Sequence, residues 1–255
     1  MDRLDAGAIA LPQFEVRVLE RCGSTNALLL KERKGGLLLA AEEQTAGRGR
    51  RGRRWYSAPG NGVTFSLSRT INRPLRELAG LSLVAGVAAA RALRALGVPQ
   101  AALKWPNDVV VGEAKLGGIL VETRANGSGV LAVIGIGINC RRDAALERRL
   151  RRPLASLDQF IAVDRNRVVE RVATSLAEAL QVFESRGLEP LRREWEAMDA
   201  HAGARLRVRL ADGRVLTGVA RGLNGEGGLQ LETSSGLRAV RSGRVLLAHK
   251  RARPA

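Results

Sequence analysis

The sequence predicts an α+β fold: a larger domain of mixed strands and helices at residues 1–200, then a small β domain at residues 201–255. Before His201, short apolar runs typical of strands alternate with segments that have the 3.6-residue apolar spacing of helices. After His201 the helical spacing stops, and short runs alternate apolar and polar residues between turn signals. The 255 residues are enough for one or two domains with buried cores.

The first elements are a helix flanked by strands. Ser24-Thr25-Asn26 offers capping side chains before an apolar-rich run, and Gly35-Gly36 is a stop signal, so a helix is predicted between them. A buried strand follows at residues 37–41. The other strands predicted in this part of the chain are at residues 14–19 and 63–69.

The middle of the chain carries two long helices, predicted at residues 75–96 and 165–186, the second capped by Asp164. Gly112-Glu113 is a turn signal, so the strands on either side of it are expected to form a hairpin. The remaining predictions are strands at residues 101–105, 109–111, 115–123 and 130–139 and a shorter helix around 191–198. Beyond them, five short strands separated by turns predict a small barrel.

Positive charge is the strongest compositional bias. The chain has 42 Lys and Arg against 25 acidic residues, a net charge of +17. Such an excess is typical of proteins with anionic partners: nucleic acid, nucleotide phosphates or an acidic protein. Only five of the basic residues are Lys, however, and the Arg are spread along the chain. A genome-wide compositional habit is therefore favoured as the main cause of the charge.

Several classes of protein are excluded by the sequence. Cys22 and Cys140 match neither a disulfide framework nor a CxxC clip, and with only two His a structural zinc site is not expected. The longest apolar stretches, 81–90 and 129–138, fall short of the ~18 residues of a membrane span. The N-terminus lacks the features of a secretory signal. A cytoplasmic protein without a membrane partner is therefore expected.

The most informative segment is the Arg/Gly loop, Gly47–Trp55 (G-R-G-R-R-G-R-R-W). It contains the letters GxGxxG, but no helix follows the glycines, so the dinucleotide fingerprint is rejected. Repelling charges and flexible glycines predict a loop that is mobile alone and ordered around a phosphate or carboxylate. Trp55 offers a face for a base or another flat ring. A solvated basic loop and a nucleic-acid contact loop remain open as alternatives.

Two nearby segments contain the other charged residues that could contact a ligand or a metal ion. In Lys104–Asp108 (K-W-P-N-D), Asp108 either orients Mg²⁺ or another cation or simply closes a turn. Lys115 begins an otherwise apolar strand that contains Gly117-Gly118. Paired glycines weaken a strand unless a ligand or another backbone approaches closely. The combination favours a ligand-facing site.

Gly135–Asn139 (G-I-G-I-N) and Ser24–Asn26 are weaker signals. In the first, positions without side chains let a flat ligand lie on the sheet, and Asn139 offers a donor and an acceptor, although a bulge-rich strand explains the segment equally simply. In the second, helix capping alone explains the residues. These five segments form an ordered set along the chain. The set as a whole points to a function, and no single segment does so.

That ordered set resembles the biotin protein ligases, or biotin–[acetyl-CoA-carboxylase] ligases. The resemblance covers roughly residues 14–250, and residues 183–195 resemble the segment that leads into the family's C-terminal domain. The segments that carry it are GSTN at 23–26, EEQTAGRGRRGRRW at 42–55, KWPND at 104–108, KLGGILVE at 115–122 and GIGIN at 135–139.

The resemblance implies a catalytic domain related to class II aminoacyl-tRNA synthetases, followed by an SH3-like barrel. It implies that biotin and ATP·Mg²⁺ give biotinyl-5′-AMP and diphosphate, and that the biotinyl group then passes to a lysine of a biotin carboxyl carrier domain. Because the first step brings two anions together, positioning and positive charge are expected to dominate catalysis.

The resemblance also implies roles for single residues. Lys115 would bridge the carboxyl end of biotin and the α-phosphate, with Arg48, Gly49 and Arg50 folded over the same groups. Asp108 would lie near the metal ion or the nucleotide. The other implied contacts are Ser24, Thr25, Asn26, Gln44 and Gly118 for biotin, and Trp55 and Asn139 for the adenosine.

Two alternatives stay open. A lipoate or octanoate protein ligase uses similar adenylate chemistry, but the Arg/Gly loop and the terminal barrel favour biotin. An arginine-rich nucleic-acid-binding protein is the other, although the barrel lacks the clustered aromatics expected for base stacking. Some family members carry an N-terminal winged-helix domain, which needs more residues than precede Cys22, so sequence-specific DNA binding is not expected.

Overall fold

The computed structural model describes residues 2–56, 58–126 and 129–249, with side chains described as far as Leu246. Two sheets organise these residues, the first within the predicted catalytic domain and the second within the predicted β domain. Residues 250–255, which the sequence assigned to the β domain, lie outside the described residues.

Seven strands form the first sheet: β1 (Glu15–Cys22), β2 (Leu37–Gln44), β3 (Gly62–Ile71), β4 (Ala102–Lys104), β5 (Asp108–Val111), β6 (Ala114–Asn126) and β7 (Gly129–Asn139). Their order is β1-β2-β3-β7-β6-β5-β4. β1 and β2 pair in parallel and every other neighbouring pair is antiparallel. The sheet is therefore mixed, as predicted, and β5 and β6 form the predicted hairpin.

Five α-helices accompany this sheet: α1 (Thr25–Glu32), α2 (Leu81–Ala95), α3 (Ala144–Leu150), α4 (Arg165–Arg186) and α5 (Glu189–Ala197). Alternate residues of a strand point to opposite faces of a sheet. In β2, Leu37 and Leu39 join a small apolar cluster with Leu29 of α1. Leu38 and Ala40 join the main core, which includes α2 and α4. One face of the sheet is thus buried under two long helices, and the other carries the short α1.

The helices differ from the prediction in two places. The helix predicted at residues 75–96 is a 3₁₀ turn, Leu75–Gly80, followed by α2. At the junction, a Cβ on Gly80 would lie 2.7 Å from Leu188 Cδ2, so the backbone makes a close tertiary contact that residue spacing does not reveal. The helix α3 was not predicted, although Asp143 is its N-cap and accepts a hydrogen bond from Leu146 N at 2.9 Å.

Five strands form the second sheet: β8 (Arg205–Leu210), β9 (Val215–Leu223), β10 (Leu229–Thr233), β11 (Gly236–Val240) and β12 (Gly243–His249). Their order is β11-β10-β9-β8-β12, and all neighbours are antiparallel. The five predicted strands are therefore present. Since β11 and β12 lie at opposite edges of the described sheet, the barrel is open rather than closed by hydrogen bonds.

The two sheets share one apolar core. Trp105, in the turn between β4 and β5, donates from Nε1 to Gly227 O at 3.2 Å. Gly243 lies against the same indole, since a Cβ there would be 3.4 Å from Trp105 Cζ3. Buried side chains such as Leu206 and Val208 of β8 belong to the same cluster as those of α2. This packing places the start of β12 beside the K-W-P-N-D segment.

One stretch, Leu75–Ala95, is long and apolar enough to cross a membrane by length and composition. Most of it, 72% of the relevant window, is buried inside the protein. The core helix of a globular domain meets the same criteria, so the stretch is explained by its packing against α4.

Candidate active site

A cavity of about 400 Å³ opens on the face of the first sheet that carries α1. Its floor is formed by β3, β6 and β7, and its walls by the start of α1, the Arg/Gly loop, the turn between β4 and β5, and the start of β12. Eleven of the twelve site residues named from the sequence line it, and Asn139 does not. Segments far apart in the chain therefore converge on one site.

One end of the cavity is a hydrogen-bonded network made mainly of neutral side chains, with the Glu122 carboxylate at its edge. Thr25 donates from N and from Oγ1 to Gln44 Oε1, at 2.8 and 3.1 Å. Ser66 Oγ lies 2.6 Å from Thr25 Oγ1 and donates to Asn26 Oδ1 at 2.6 Å. Ser24, Thr25 and Asn26 are all buried. These bonds fix the side chains, so this end presents donors and acceptors suited to a polar, uncharged group.

The middle of the floor beside this network is formed by two glycines, which present no side chain. In the strand register, four residues lie side by side across β3, β7, β6 and β5: Thr64, Gly137, Gly118 and Asp108. We call this the glycine row, after the two glycines in its middle. The indole of Trp55 rests on this row: a Cβ on Gly137 would lie 2.3 Å from Trp55 Cε2 and Cζ2. Only glycine leaves room for that ring. The flat surface predicted for a ligand is thus covered by Trp55 in this structure.

Lys115 and Asp108 form an ion pair at the end of the glycine row, between Nζ and Oδ1. The Lys115 side chain is 16% exposed, and its Nζ lies 5.7 Å from the centre of the Trp55 ring. Burial lowers the pKa of Lys115, while the Asp108 carboxylate acts in the opposite direction. The pair places a cation next to the floor.

The Arg/Gly loop contacts both parts of the molecule. Arg48 Nη2 lies 3.0 Å from Glu122 Oε2 on β6. Arg51 Nη2 donates to Ser242 Oγ at 3.0 Å, and Arg50 Nη2 reaches the same oxygen at 3.5 Å. Because Ser242 directly precedes β12, the loop spans the opening between the first sheet and the second.

Two buried polar atoms in this cavity make no hydrogen bond within the described part of the chain: Thr64 Oγ1 and Trp55 Nε1. An unpaired buried donor or acceptor costs about 1–3 kcal/mol. Such atoms are rare in folded proteins, and a bound water, ion or ligand is one explanation for them. They extend the hydrogen-bonding capacity of the cavity beyond the network at Thr25.

Comparisons with known proteins agree with this geometry. The sequence model of the Biotin/lipoate A/B protein ligase family matches residues 18–139, and that of the Biotin protein ligase C terminal domain matches residues 202–247. The bifunctional ligase/repressor BirA of Escherichia coli is 34% identical over 252 residues, covering 97% of this chain and 76% of that protein. The biotin--[acetyl-CoA-carboxylase] ligase of Mycobacterium tuberculosis is 35% identical over 243 residues, covering 91% of this chain and 88% of that protein. This chain belongs to the biotin protein ligase family.

A solved structure supports the same fold. The biotin protein ligase from Aquifex aeolicus, in complex with biotin and ATP, has a TM-score of 0.77 and 28% identity, and the match covers 91% of this chain and 97% of that one. The predicted α+β class with a small C-terminal β domain is thereby confirmed as the biotin protein ligase fold. The domain boundary at residue 200 and the roles of single residues stay predictions.

In this biotin protein ligase, Asn139 lies outside the main cavity. Its Nδ2 donates to Lys115 O at 3.1 Å and to Ala155 O at 3.0 Å, so it holds the backbone of the lysine segment. Asn139 instead lines a separate cavity of about 20 Å³ with Tyr56 and Leu146. A contact with adenosine would therefore have to form there.

Sequence reasoning missed several residues that line the cavity or are hydrogen-bonded to its lining. Thr64 and Ser66 alternate with apolar residues in β3, a pattern that a strand with one solvent-facing side also produces. Arg152 and Arg244 line the cavity but carry no local signal in an arginine-rich chain. Glu122 accepts from Asn26 Nδ2 at 2.9 Å, and the sequence predicted no role for it beyond its place in the segment at 115–122. Their roles depend on long-range contacts.

The part of the chain that the structure describes does not form a resident metal site. Across the described residues, no group of three or more His, Cys, Asp or Glu is placed to hold an ion. Mg²⁺ in nucleotide sites keeps several waters and uses one or two carboxylates together with phosphate oxygens. Asp108 alone therefore fits an ion that arrives with ATP rather than one held by the protein.

Proposed function

We propose that this biotin protein ligase activates biotin with ATP as biotinyl-5′-AMP and then transfers the biotinyl group to a lysine of a biotin carboxyl carrier domain. The observation that carries the proposal is the division of one cavity. Mostly neutral hydrogen-bonding side chains surround Thr25 in one part of the cavity, whereas the Lys115 ammonium and several arginines line the rest of it. A neutral ring with a carboxylate tail, next to a nucleoside triphosphate, has the matching distribution of charge.

The ring end of biotin belongs at the network around Thr25. A cyclic urea offers two N–H donors and one carbonyl acceptor, which the hydroxyl and amide groups there can pair with. Gly118 leaves space on the floor for the chain that leads to the carboxylate, once Trp55 moves off the row. The residues assigned to biotin are Ser24, Thr25, Asn26, Gln44, Arg48, Gly49, Arg50, Lys115 and Gly118.

In the first reaction, a carboxylate oxygen of biotin bonds to the α-phosphorus of ATP, and diphosphate leaves with the electron pair of the broken bond. Both partners are anions, so a cation between them stabilises the transition state more than either reactant. Lys115 is held for this role by its ion pair with Asp108, and Arg48 and Arg50 approach from the loop. ATP enters as its magnesium complex, which neutralises phosphate charge, and Asp108 is the carboxylate that would hold that ion.

The mixed anhydride formed must be shielded from water until the acceptor arrives. The Arg/Gly loop is placed to do this because it spans the opening and reaches Ser242 on the far side. The adenosine is expected near Trp55, whose indole is free to stack on a base once it leaves the glycine row. In the second reaction, the amine of the carrier lysine attacks the acyl carbon and AMP leaves.

The partner that follows from this chemistry is a biotin carboxyl carrier domain. The Mycobacterium tuberculosis relative is named for acetyl-CoA carboxylase, which supports a carboxylase carrier as the acceptor. We place the protein in the cytoplasm, which suits its two free thiols, Cys22 and Cys140. We expect neither membrane attachment nor sequence-specific DNA binding.

Exchange of labelled diphosphate into ATP tests the proposal. Biotin should stimulate the exchange, whereas lipoate and octanoate should not, and mass spectrometry should find biotinyl-5′-AMP. Adding a carrier domain should convert its lysine to biotinyl-lysine. Stimulation by lipoate alone would instead favour a lipoate ligase. Tight, salt-sensitive filter binding of RNA or DNA, without any acid-dependent exchange, would favour the nucleic-acid alternative.

A further inference from the structure

Glu122, on β6, contacts both parts of the proposed biotin site, although it does not itself line the cavity. Its Oε2 accepts a hydrogen bond from Asn26 Nδ2 at 2.9 Å and another from Arg48 Nη2 at 3.0 Å. Asn26 belongs to the polar network around Thr25, and Arg48 belongs to the Arg/Gly loop. A single carboxylate oxygen thus joins the wall at the ring end to the loop assigned to the carboxylate of biotin.

The Glu122 carboxylate helps to decide which way the Asn26 amide points. An ionised carboxylate only accepts hydrogen bonds, so the NH₂ group of Asn26 must face it and Oδ1 must face away. Leu120 O, which also accepts from Asn26 Nδ2, at 3.2 Å, favours the same orientation. The Oδ1 atom then accepts from Ser66 Oγ at 2.6 Å. The direction of this hydrogen bond is therefore fixed from outside the cavity.

The same direction continues from Ser66 to Thr25. Ser66 has one hydroxyl hydrogen, which it donates to Asn26 Oδ1. In the 2.6 Å contact between Ser66 Oγ and Thr25 Oγ1, the donor must therefore be Thr25. With its hydrogen shared between Ser66 and Gln44, the Thr25 hydroxyl can only accept from a ligand. An acceptor at this position suits an N–H group of a cyclic urea.

Glu122 also holds the Arg48 side chain at the wall of the cavity. Arg48 is 46% exposed and Glu122 is 26% exposed, and only Arg48 lines the cavity. A guanidinium has five N–H donors, so a contact through Nη2 leaves others for an anion in the cavity. A side chain that is already held loses less conformational entropy when a ligand binds. The ion pair therefore supports Arg48 and does not draw it away from the site.

We propose that Glu122 is a positioning residue that couples recognition of the biotin ring to recognition of the biotin carboxylate. The inference rests on the proposed function and adds to it a group that touches neither substrate. Through Asn26 the Glu122 carboxylate sets the hydrogen-bond direction at Thr25, and through Arg48 it holds a cation for the other end of the ligand. An acid that lacks the cyclic urea satisfies only one of these two elements.

Glu122→Gln and Glu122→Ala separate the two contacts. Gln keeps an oxygen that can accept from Asn26 but has no charge to pair with Arg48, whereas Ala loses both contacts. Binding is measured by calorimetry without ATP, for biotin and for its neutral amide, which has the same ring but no carboxylate. These two ligands report on the two ends of the site separately.

Glu122→Gln should bind biotin about fivefold more weakly than wild type, the size expected for a partly exposed ion pair, and should bind the amide within about twofold of wild type. Glu122→Ala should weaken both ligands by about tenfold, because the ring end also loses a partner. In ATP–diphosphate exchange, the KM for biotin should rise by similar factors. The KM for ATP should change by less than twofold, since both partners of Glu122 are assigned to biotin.

Glu184→Gln is the matched control. Glu184 is 25% exposed and pairs with Arg69 at 2.7 Å, and neither residue lines the cavity. This variant should bind both ligands as wild type does, and thermal unfolding shows whether each variant is folded. If Glu122→Ala does not fold, the comparison of biotin with its amide in Glu122→Gln decides the matter alone.

Three results would overturn the inference. Equal weakening of biotin and its amide in Glu122→Gln would mean that the charge does not act through the carboxylate end. Unchanged binding in that variant would mean that the ion pair has no effect on the site. Tighter binding of biotin would mean that Glu122 competes with the ligand for Arg48. A wild-type protein that binds no biotin would instead refute the proposed function itself.

Discussion

At Lys115, burial and ion pairing act in opposite directions. Burial lowers the pKa of Lys115, and the Asp108 carboxylate offsets part of that effect. A buried cation of this kind can contact a reacting anion with little reorganisation, since it is already desolvated in the folded protein. The lysine is therefore suited to a reaction in which charge, and not proton transfer, limits the rate.

Lys115→Ala should lower biotin-dependent ATP–diphosphate exchange by about 100-fold or more, because it removes the cation between the two reacting anions. The fold should survive, since the side chain is not part of the main apolar core and Asp108 keeps access to water. Exchange kinetics and thermal unfolding measure the two effects. Lys31→Ala, at an exposed position on α1, is the control. Wild-type exchange in Lys115→Ala would remove Lys115 from the mechanism.

Thr64 and Ser66 provide a matched pair on one face of β3. Thr64→Val should raise the free energy of unfolding by about 1 kcal/mol, because it replaces an unpaired buried hydroxyl with a methyl group of similar size. Ser66→Ala should lower it by about 1–3 kcal/mol, because it leaves the buried Oδ1 of Asn26 without the hydroxyl that donates to it. Urea unfolding measures both. A loss of stability in Thr64→Val would mean that its hydroxyl has a partner.

At the level of secondary-structure elements, the glycine row on β6 and β7 sets where flat groups can lie. Gly137→Ala should force the Trp55 indole off the floor, since its Cβ would lie 2.3 Å from the ring. We expect a shifted tryptophan emission and a stability loss of about 1–3 kcal/mol from overpacking. Gly23→Ala, which meets no atom within 4 Å, is the control. Unchanged emission and stability would show that the indole does not occupy this position.

The junction between α5 and β8 contains an ionisable group away from the cavity. Asp199 lies in an open groove of about 660 Å³ between α5 and β9. Burial raises the pKa of Asp199 to about 6, against a hydrogen bond from His201 N at 2.9 Å that acts in the opposite direction. Because the folded carboxyl binds its proton more tightly than the unfolded one, ionisation destabilises the folded state as pH rises.

Asp199→Asn should therefore stabilise the protein at pH 7–8, by up to about 3 kcal/mol, since each pKa unit corresponds to about 1.4 kcal/mol. The difference in the free energy of unfolding between the variant and the wild type should grow between pH 4 and pH 6. It should stay constant above that range, where the folded wild-type carboxyl is ionised. Unfolding free energies of both proteins across pH give the difference directly. A difference independent of pH would mean that ionisation of Asp199 is not its source.

At the scale of the whole molecule, the Arg/Gly loop connects the two sheets across the cavity. Its contacts to Glu122 on one side and Ser242 on the other are few and solvent-accessible, so the loop should open readily without ligand. An anion bound beneath it would add contacts to arginines from both sides. Closing of the loop and binding of the adenylate should therefore be coupled.

Limited trypsin digestion tests this coupling, because the loop offers five arginines for cleavage. Biotin with ATP and magnesium should slow cleavage within Gly47–Trp55 several-fold, whereas biotin with AMP should protect less. Cleavage at exposed arginines of the second sheet, such as Arg238, gives an internal reference. Equal cutting of the loop with and without ligands would contradict the coupling.

The sequence by itself determined the α+β class, nearly every strand and the order of the motifs, because apolar periodicity, caps and turn residues are local properties. Through resemblance to a family it also named twelve candidate site residues, and the structure brings eleven of them to one cavity. Only the tertiary structure decided that Trp55 covers the glycine row, that Asn139 lies outside the cavity, and that Ser66 completes the polar network. It alone brought Arg152 and Arg244 to Arg53. Those contacts join residues tens to hundreds of positions apart, and no local pattern encodes which side chains meet when the two sheets pack together.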